Sequence, residues 1–348
     1  MYTLAPKEMQ PASPHAVGTV VAVDEARRLI GAALRRIGVD AHAVQATADH
    51  LLEAELRDRG GLQRLFGFAE IAIRHGLPHG APPRIVDESD TTAIVDGGGS
   101  IGFPAAATAT DLAIAKALRC GIAVVGANNH RYSGVLGLYV EQAARAGVVA
   151  IAAGSGTLAV TAPYGAREAR LCTNPIAMGF PSSGGAIVWD AATAAVAGTE
   201  LARLAEEGLP LPEGVAVDAD GRPTRDARDA LAGAVLAWGG HRGSGLAIAV
   251  QLLGLLCGLG DVGDGPGEWE ASFLMIAIDP GALHSRSGFR DAVADFGDTV
   301  RATPPRPGFD GVRMPSDRSM AALHERRRDG IALSQDDAAR LFDLAGRA

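Results

Sequence analysis

GIAVVGANNHRYSGVLGLY, residues 121–139, is the stretch on which the fold turns. Its opening, GIAVVGA, is a short continuous apolar run with β-branched residues, the pattern of a buried strand. Before it, PAAATATDLAIAKALRC (104–120) reads as a long helix, and TTAIVD (91–96) reads as an earlier strand. Between that strand and the helix, Gly97, Gly99 and Gly102 spell G-x-G-x-x-G. In a dinucleotide-binding βαβ unit such glycines let backbone amides reach a pyrophosphate at a helix N-terminus. That unit also wants Asp or Glu about 20 residues further on, at the end of the second strand, to hold a ribose. Here the second strand ends in Asn128-Asn129-His130, with no acid. The glycines therefore read as a turn into a helix, and the fold as mixed α/β outside the Rossmann class.

Working outward, YVEQAARAG (139–147) is a helix and VVAIAAGSG (148–156) a strand, so residues 91–156 alternate strand and helix as an α/β layer does. From Thr161 the pattern changes. Turns are frequent, strands are short (AIVWD, 186–190; FLMIAI, 273–278), and helices are fewer, which predicts a mixed or largely antiparallel sheet. Asp261–Gly267 reads as a surface loop. On the N-terminal side, Asp24 opens and caps a helix through Arg36, with Gly38 past its end. Asp40 caps a second helix, Ala41–Leu56. A basic turn, RDRGGLQRL (57–65), leads to a third helix from Phe66 to His75, and GLPHGAPPR (76–84) breaks it. At the C-terminus, SDRSMAALHERRRDG (316–330) and SQDDAARLFDLAGR (334–347) give two capped amphipathic helices expected to pack back on the N-terminal ones. The predicted organisation is a helical domain from both termini (1–80 with 316–348), an α/β substrate domain (81–150) and a cofactor-binding domain (151–315). There is no internal repeat.

Composition limits the function. A chain of 348 residues with 47% apolar and 21% charged residues is globular, and its net charge of −8 argues against nucleic acid and anionic membranes as partners. Lys7 and Lys116 are the two lysines, so arginine supplies nearly all the cations. The N-terminus through Gly18 has no basic start followed by an apolar run and reads as a flexible extension, not a signal peptide. Gly245–Gly260 is the most apolar segment but is too short to span a bilayer. The compartment read from this is the cytosol. Cys120, Cys172 and Cys257 are odd in number, far apart and flanked by apolar residues, and read as reduced buried thiols. No His/Cys/Asp/Glu cluster has ligand spacing, so no metal is expected. His75 and His79 are separated by a Gly-Leu-Pro break and share no helical face.

Asn128, Asn129 and His130 stand at the end of a buried strand, where α/β folds aim functional groups into a crevice. His130 is the catalytic candidate. APYG (162–165), TNPIAMGFP (173–181), VWDAATAAVAG (188–198), WGGHRGSGLAIAV (238–250), ASFLMIAIDP (271–280) and VRMPSDRS (312–319) come after it in the chain. In this order and spacing they resemble the malate/L-lactate dehydrogenase-type family of NAD(P)-dependent oxidoreductases, over roughly Val23 to Leu344. That resemblance implies a homodimer with a cofactor, NAD or NADP, laid across a mostly antiparallel sheet. It places Asp190, Thr193, His241, Arg242, Gly243, Ser316 and Asp317 at the cofactor, with Ala194 where the family carries serine. It places Asn129, Tyr132, Thr173 and Asn174 at the substrate.

The chain departs from the family at the N-terminal motif R-G-x-x-S-H-G-x-x-R. The corresponding Arg57–Arg64 is shorter and has lost both serine and histidine, while Arg64 remains as a clamp for a substrate carboxylate. Ketone reduction needs a proton delivered to the developing alkoxide. A protonated imine needs only hydride. The expected activity is therefore NAD(P)H-dependent reduction of a small carboxylate substrate at a C=N carbon (a cyclic imine) or a C=O carbon (a 2-oxo acid). Two other readings stand beside it: a pocket repurposed for a non-redox lyase, cyclase or isomerase step, and a non-catalytic binding partner.

Overall fold

The structure is a computed structural model that describes residues 17–260 and 270–346. The loop expected at Asp261–Gly267 and most of the N-terminal extension lie outside the described residues. The chain opens with β1 (Val17–Val21), α1 (Val23–Arg36), α2 (Ala41–Leu56), α3 (Gly61–His75), β2 (Arg84–Glu88) and β3 (Thr92–Asp96). The alternating layer comes next as α4 (Phe103–Cys120), β4 (Ile122–His130), α5 (Leu136–Arg145) and β5 (Val149–Gly156). After it stand β6 (Thr161–Ala162), β7 (Ile176–Phe180), β8 (Ile187–Ala191), α6 (Gly198–Glu207), β9 (Ala216–Val217), α7 (Ala227–Ala232) and β10 (Ala234–Leu236). The chain closes with α8 (His241–Leu256), β11 (Ala271–Ile278), α9 (Arg286–Arg301), α10 (Asp317–Asp329), β12 (Ile331–Ser334) and α11 (Gln335–Leu344).

The central sheet has seven strands in the order β2-β3-β4-β11-β5-β7-β8. Among the described residues of this sheet only β3 and β4 pair in parallel; the other pairings are antiparallel. The decisive element is β11. Its run ASFLMIAI is apolar on both faces, as a central strand must be, and it inserts between β4 and β5. The predicted boundary at residue 150 therefore falls inside β5 and cuts one continuous sheet, so 81–150 does not stand apart from 151–315. Alternate residues of β11 face opposite ways. Phe273, Met275 and Ala277 join an alanine-rich core under α4 and α5. Leu274 and Ile276 join Val250 and Leu253 of α8 on the other face. A smaller sheet, β6-β10-β9, carries α6 and α7 beside it.

The terminal segments share a core in which Ile30, Leu34, Leu51, Leu52 and Leu65 meet Leu323 and Leu341 of α10 and α11. β1, which falls at the end of the expected flexible extension, pairs antiparallel with β12. The expected caps differ. Ala22 stands at the N-cap of α1, and Asp24 lies inside the first turn, where its charge meets the positive end of the helix. Asp40 makes no cap bond to α2. It accepts instead from Ser100 Oγ (2.8 Å) and Gly80 N–H (3.0 Å), tying two loops to the helical part. α3 starts at Gly61 and not Phe66, because Glu55 accepts the Leu62 N–H (3.0 Å) and supplies the missing cap. Both α8 and α9 run 16 residues where few helices were predicted. α8 is apolar all round and so shows no helical period. Among the described residues no helix is long and apolar enough to cross a membrane, and no cluster of metal-binding side chains is found.

Candidate active site

β8 is the edge strand of the large sheet, and Asp190 stands near its end, against the first turn of α5. Its Oδ2 accepts the Gly137 N–H (3.0 Å). A Cβ on residue 137 would lie 3.0 Å from the same oxygen, so a glycine is what lets strand and helix meet this closely. Around this contact lies a small cleft, lined among others by Arg57, Arg59, Glu141, Asp190 and Ser316.

The arginines near Asp190 are of two kinds; Arg57 and Arg59 line the cleft, and Arg64 lies outside its lining. Arg57 is buried and neutralised, with ion pairs to Glu53 and to Glu141 (3.0 Å), and Arg145 closes on the far side of Glu141 (2.5 Å). Arg64 has no carboxylate partner among the described residues. Its Nε donates to Tyr132 Oη (2.5 Å), and its Nη1 donates to the carbonyls of Arg59 and Gly60. Arg59 makes no side-chain hydrogen bond or ion pair among the described residues, and its charge acts on Asp190. Burial raises the Asp190 pKa above the ordinary carboxyl value, against the pull of Arg59, the Gly137 N–H and Arg64. Asp190 is thus a carboxyl group whose pKa burial raises, facing a cleft, with one hydrogen bond holding it in place.

Tyr132 is tied to Arg64, beside the cleft. Its backbone is left-handed (φ +44°), and its ring packs edge-on to Phe68 and Phe103 at 5.7 and 5.9 Å. The rest of the β4 end is built differently. The amides of Gly97, Gly99 and Gly102 donate to the carbonyls of Asn128 (2.9 Å), Asn129 (2.8 Å) and Arg131 (2.5 Å). The Asn129 amide donates to Asp96 (2.7 Å). His130 is fully buried, and its ring nitrogens find no hydrogen-bond partner of normal geometry among the described residues. A Cβ on Gly102 would sit 2.4 Å from its Nδ1, so the glycine turn wraps the ring. Burial, and then the charge of Arg131, push the His130 pKa down to about 4. His130 does not line the cleft that holds Asp190.

Two more expected residues are structural in this arrangement. Asn174 is fully buried; its amide donates to the Ala247 carbonyl and to Gln251 (2.9 Å each) and accepts from Ser155 (3.0 Å). Thr193 is buried with its hydroxyl donated to the carbonyl of half-buried Thr173 (3.0 Å). From there the chain meets the approach to α8. Trp238 N–H donates to the Thr193 carbonyl (3.1 Å), and the Trp238 indole donates to the Ala192 carbonyl (2.6 Å). Gly239 and Gly240 take left-handed φ of +68° and +61° and swing the chain into α8. His241 and Arg242 then lie exposed on its first turn, His241 edge-on to Tyr164 at 5.9 Å. Gly243 packs on Trp238, where a Cβ would lie 1.7 Å from the carbonyl oxygen. Ser316 lines the cleft, its hydroxyl donated to Pro315 O (2.6 Å). Asp317 is held by Arg301 (2.9 Å), which lowers its pKa, and does not reach the cleft lining.

Sequence reading missed Arg59, Arg57 and Glu141. The signal was present for the first two, since the turn 57–64 carries three arginines among eight residues. Glu141 lies in a helix that gave no reason to single it out.

The whole chain, in sequence and in fold, is similar to known proteins. The sequence profile described as malate/L-lactate dehydrogenase matches residues 21–341. Malate/(S)-sulfolactate dehydrogenase of Methanothermus fervidus is 30% identical over 335 residues, 94% of this chain and 97% of that one. A (2R)-3-sulfolactate dehydrogenase (NADP(+)) of Chromohalobacter salexigens is 32% identical over 323 residues, 88% of this chain and 92% of its own length. The crystal structure of delta1-piperideine-2-carboxylate reductase from Pseudomonas syringae superposes with a TM-score of 0.82 at 28% identity, covering 94% of this chain and 100% of that one. Fold and cleft together thus define an NAD(P)-dependent oxidoreductase. The chain belongs to the malate/L-lactate dehydrogenase family.

Proposed function

We propose that this enzyme reduces a small carboxylate substrate in the Asp190 cleft, using NADH or NADPH held outside any Rossmann unit. The observation that carries the reading is Asp190 itself: a raised-pKa carboxyl in a cleft beside two guanidinium groups that lack carboxylate partners. The glycine motif at 97–102 does not serve the cofactor, because its three glycine amides already donate to the end of β4. The first turn of α8 fits a phosphate better. It is the positive end of a 16-residue helix without a side-chain cap, it is reached through two glycines, and it carries exposed His241 and Arg242. When bound there, the reduced nicotinamide supplies a hydride to the substrate carbon.

The chain's own residues do the rest. Arg64 receives the substrate carboxylate; Tyr132 and two backbone carbonyls fix its guanidinium and leave Nη2 for the ligand. Protonated Asp190 delivers a proton to the reacting heteroatom, and the Gly137 N–H stabilises the carboxylate left behind. Hydride and proton together convert C=O to CH–OH, or C=N to CH–NH, leaving oxidised cofactor. The shortened N-terminal motif favoured C=N at the sequence level. Asp190 supplies an acid that a C=O substrate requires, so a 2-oxo acid is equally served.

We propose a homodimer whose contact includes α8, since Ile248, Leu252, Leu255 and Leu256 are exposed at helical spacing along it. Light scattering at the twofold mass supports this, and a monomer at micromolar concentration contradicts it. Free thiols at Cys120, Cys172 and Cys257 suit a cytoplasmic enzyme.

The reading is tested by titrating the protein with NADH and NADPH while following energy transfer from tryptophan, Trp238 being next to the proposed phosphate site. Saturable micromolar binding, then turnover of 2-oxo acids or cyclic imines, is expected. No binding at millimolar cofactor overturns it.

A further inference from the structure

His50 of α2 is buried between two aromatic rings, its centroid 4.9 Å from that of Phe103 and 5.0 Å from that of Tyr139. A leucine would fill such a place without the cost of burying polar nitrogens. What the histidine adds is an acceptor. Its Nε2 takes the main-chain N–H of Val135 (2.8 Å). Burial, followed by the charges of Arg64 and Arg57, lowers its pKa to about 3. The ring is therefore neutral near pH 7, with its proton on Nδ1 and the Nε2 lone pair free to accept. The chain lies hard against that nitrogen: Gly134 has φ +87°, and a Cβ there would sit 2.3 Å from it.

This bond stands directly upstream of the proposed acid. Val135 is the N-cap of α5 and gives the helix no side-chain cap. Two residues on, the Gly137 N–H donates to Asp190 Oδ2 (3.0 Å). Tyr139, further along the same helix, stacks on His50 and donates its hydroxyl to the Ser133 carbonyl (2.7 Å). The first turn of α5 is thus anchored to α2 on one side and offers an amide to β8 on the other. There is little slack between them, since a Cβ on residue 137 would lie 3.0 Å from the Asp190 carboxylate.

We infer that His50 is a positioning residue: by holding the Val135 N–H, it sets the first turn of α5 so that the Gly137 amide meets Asp190. This rests on the reductase reading, in which Asp190 is the acid. The effect has a sign. Burial raises the Asp190 pKa, and Arg59, the Gly137 N–H and Arg64 oppose it. Arg57 and Glu141, which line the same cleft, are paired with each other. Releasing the Gly137 amide removes one of the groups that favour the carboxylate, so the Asp190 pKa rises and the acid becomes a weaker donor.

The test follows the Asp190 carboxyl by NMR titration of isotope-labelled aspartate, assigned with Asp190→Asn, in the full-length wild type, His50→Leu and His50→Gln. Beside it, kcat for 2-oxo acid reduction is measured against pH. His50→Leu is expected to raise the Asp190 pKa and to move the alkaline limb of kcat to higher pH. It should also lower the plateau on the acid side about 10-fold, the scale of one weakened charge-assisted hydrogen bond. His50→Gln, whose amide oxygen can accept the same N–H, should restore most of both. In an Asp190→Asn background, His50→Leu should change kcat little, because the two residues act through one contact. Should His50→Leu fail to fold, His50→Asn, too short to reach Val135, replaces it with the same readings. An Asp190 titration that does not move overturns the inference and leaves His50 a packing residue. A higher KM for the 2-oxo acid at unchanged kcat also overturns it and assigns His50 to Arg64. If the wild type turns over no 2-oxo acid or cyclic imine, the reductase reading falls. The titration then still decides the contact: a moved Asp190 pKa supports it and an unmoved one overturns it.

Discussion

Two strand ends in one sheet, β4 and β8, present residues of similar chemical promise and are built to opposite purposes. At the β4 end, carbonyls, glycine amides and the Asn129 side chain bond to one another or to Asp96, and His130 is enclosed, with no hydrogen bond of normal geometry to its ring among the described residues. At the β8 end, Asp190 accepts from the Gly137 N–H, faces a cleft, and feels the charges of Arg59 and Arg64, which have no carboxylate partner among the described residues. Polar groups that satisfy each other make architecture. A site needs groups held in place, open to a ligand and left short of partners, because that deficit is what a ligand fills; His130 is short of partners but enclosed. Tyr132 is the exception on the β4 side, since its hydroxyl accepts from Arg64, whose charge acts on Asp190.

The sharpest way to break this contrast is to remove the proton at the β8 end. Asp190→Asn keeps size and the Gly137 contact, and should lower kcat for a 2-oxo acid by about 10²–10⁴-fold with cofactor binding intact. Gly137→Ala comes next. Its Cβ would press on the Asp190 carboxylate, and a displacement near 1 Å can cost about 10²-fold in rate, with overpacking costing about 1–3 kcal/mol of stability. Arg64→Lys retains charge but loses the fixed fork, and should raise KM about 10-fold while kcat changes less.

The β4 end sharpens the comparison through pH. Burial, followed by charge from Arg64 and Arg57, lowers the His50 pKa to about 3, and the His130 pKa is lowered to about 4. Both ordinarily titrate near 6.5, so between these values the unfolded chain binds more protons than the folded one. Stability therefore rises with pH across that window and is lost as pH falls from about 6.5 towards 4, by at most about 3 kcal/mol per histidine. Chemical denaturation at pH 7 and pH 5 reads this directly. His130→Gln should shrink the slope and lower Tm by a few degrees, with the smallest effect on kcat of all these variants.

Much of the frame was legible in the sequence. The apolar runs at 122–127 and 149–153 gave the strands, and the helix between 104 and 120 was located to within a residue. What the sequence could not show was β11 sliding between β4 and β5, since pairing over so long a separation leaves no local trace in ASFLMIAI. α8 was missed because a helix apolar all round carries no 3.6-residue period. At the site, Arg64 and Asp190 were singled out by the resemblance, Arg64 for the substrate and Asp190 for the cofactor; the acid role proposed for Asp190 comes from its burial and its contact with Gly137, which the sequence does not show. The enclosure of His130 was not legible, because a histidine at a strand end looks alike from sequence whether it faces a cleft or the glycines that surround it.

The most direct measurement is a paired one: steady-state kcat of Asp190→Asn and His130→Gln on the same 2-oxo acid, with cofactor affinity of both checked by fluorescence. A collapse in Asp190→Asn beside near-wild-type turnover in His130→Gln is the predicted result. The reverse ranking, with cofactor affinity unchanged, would place the proton donor at the β4 end and contradict the account.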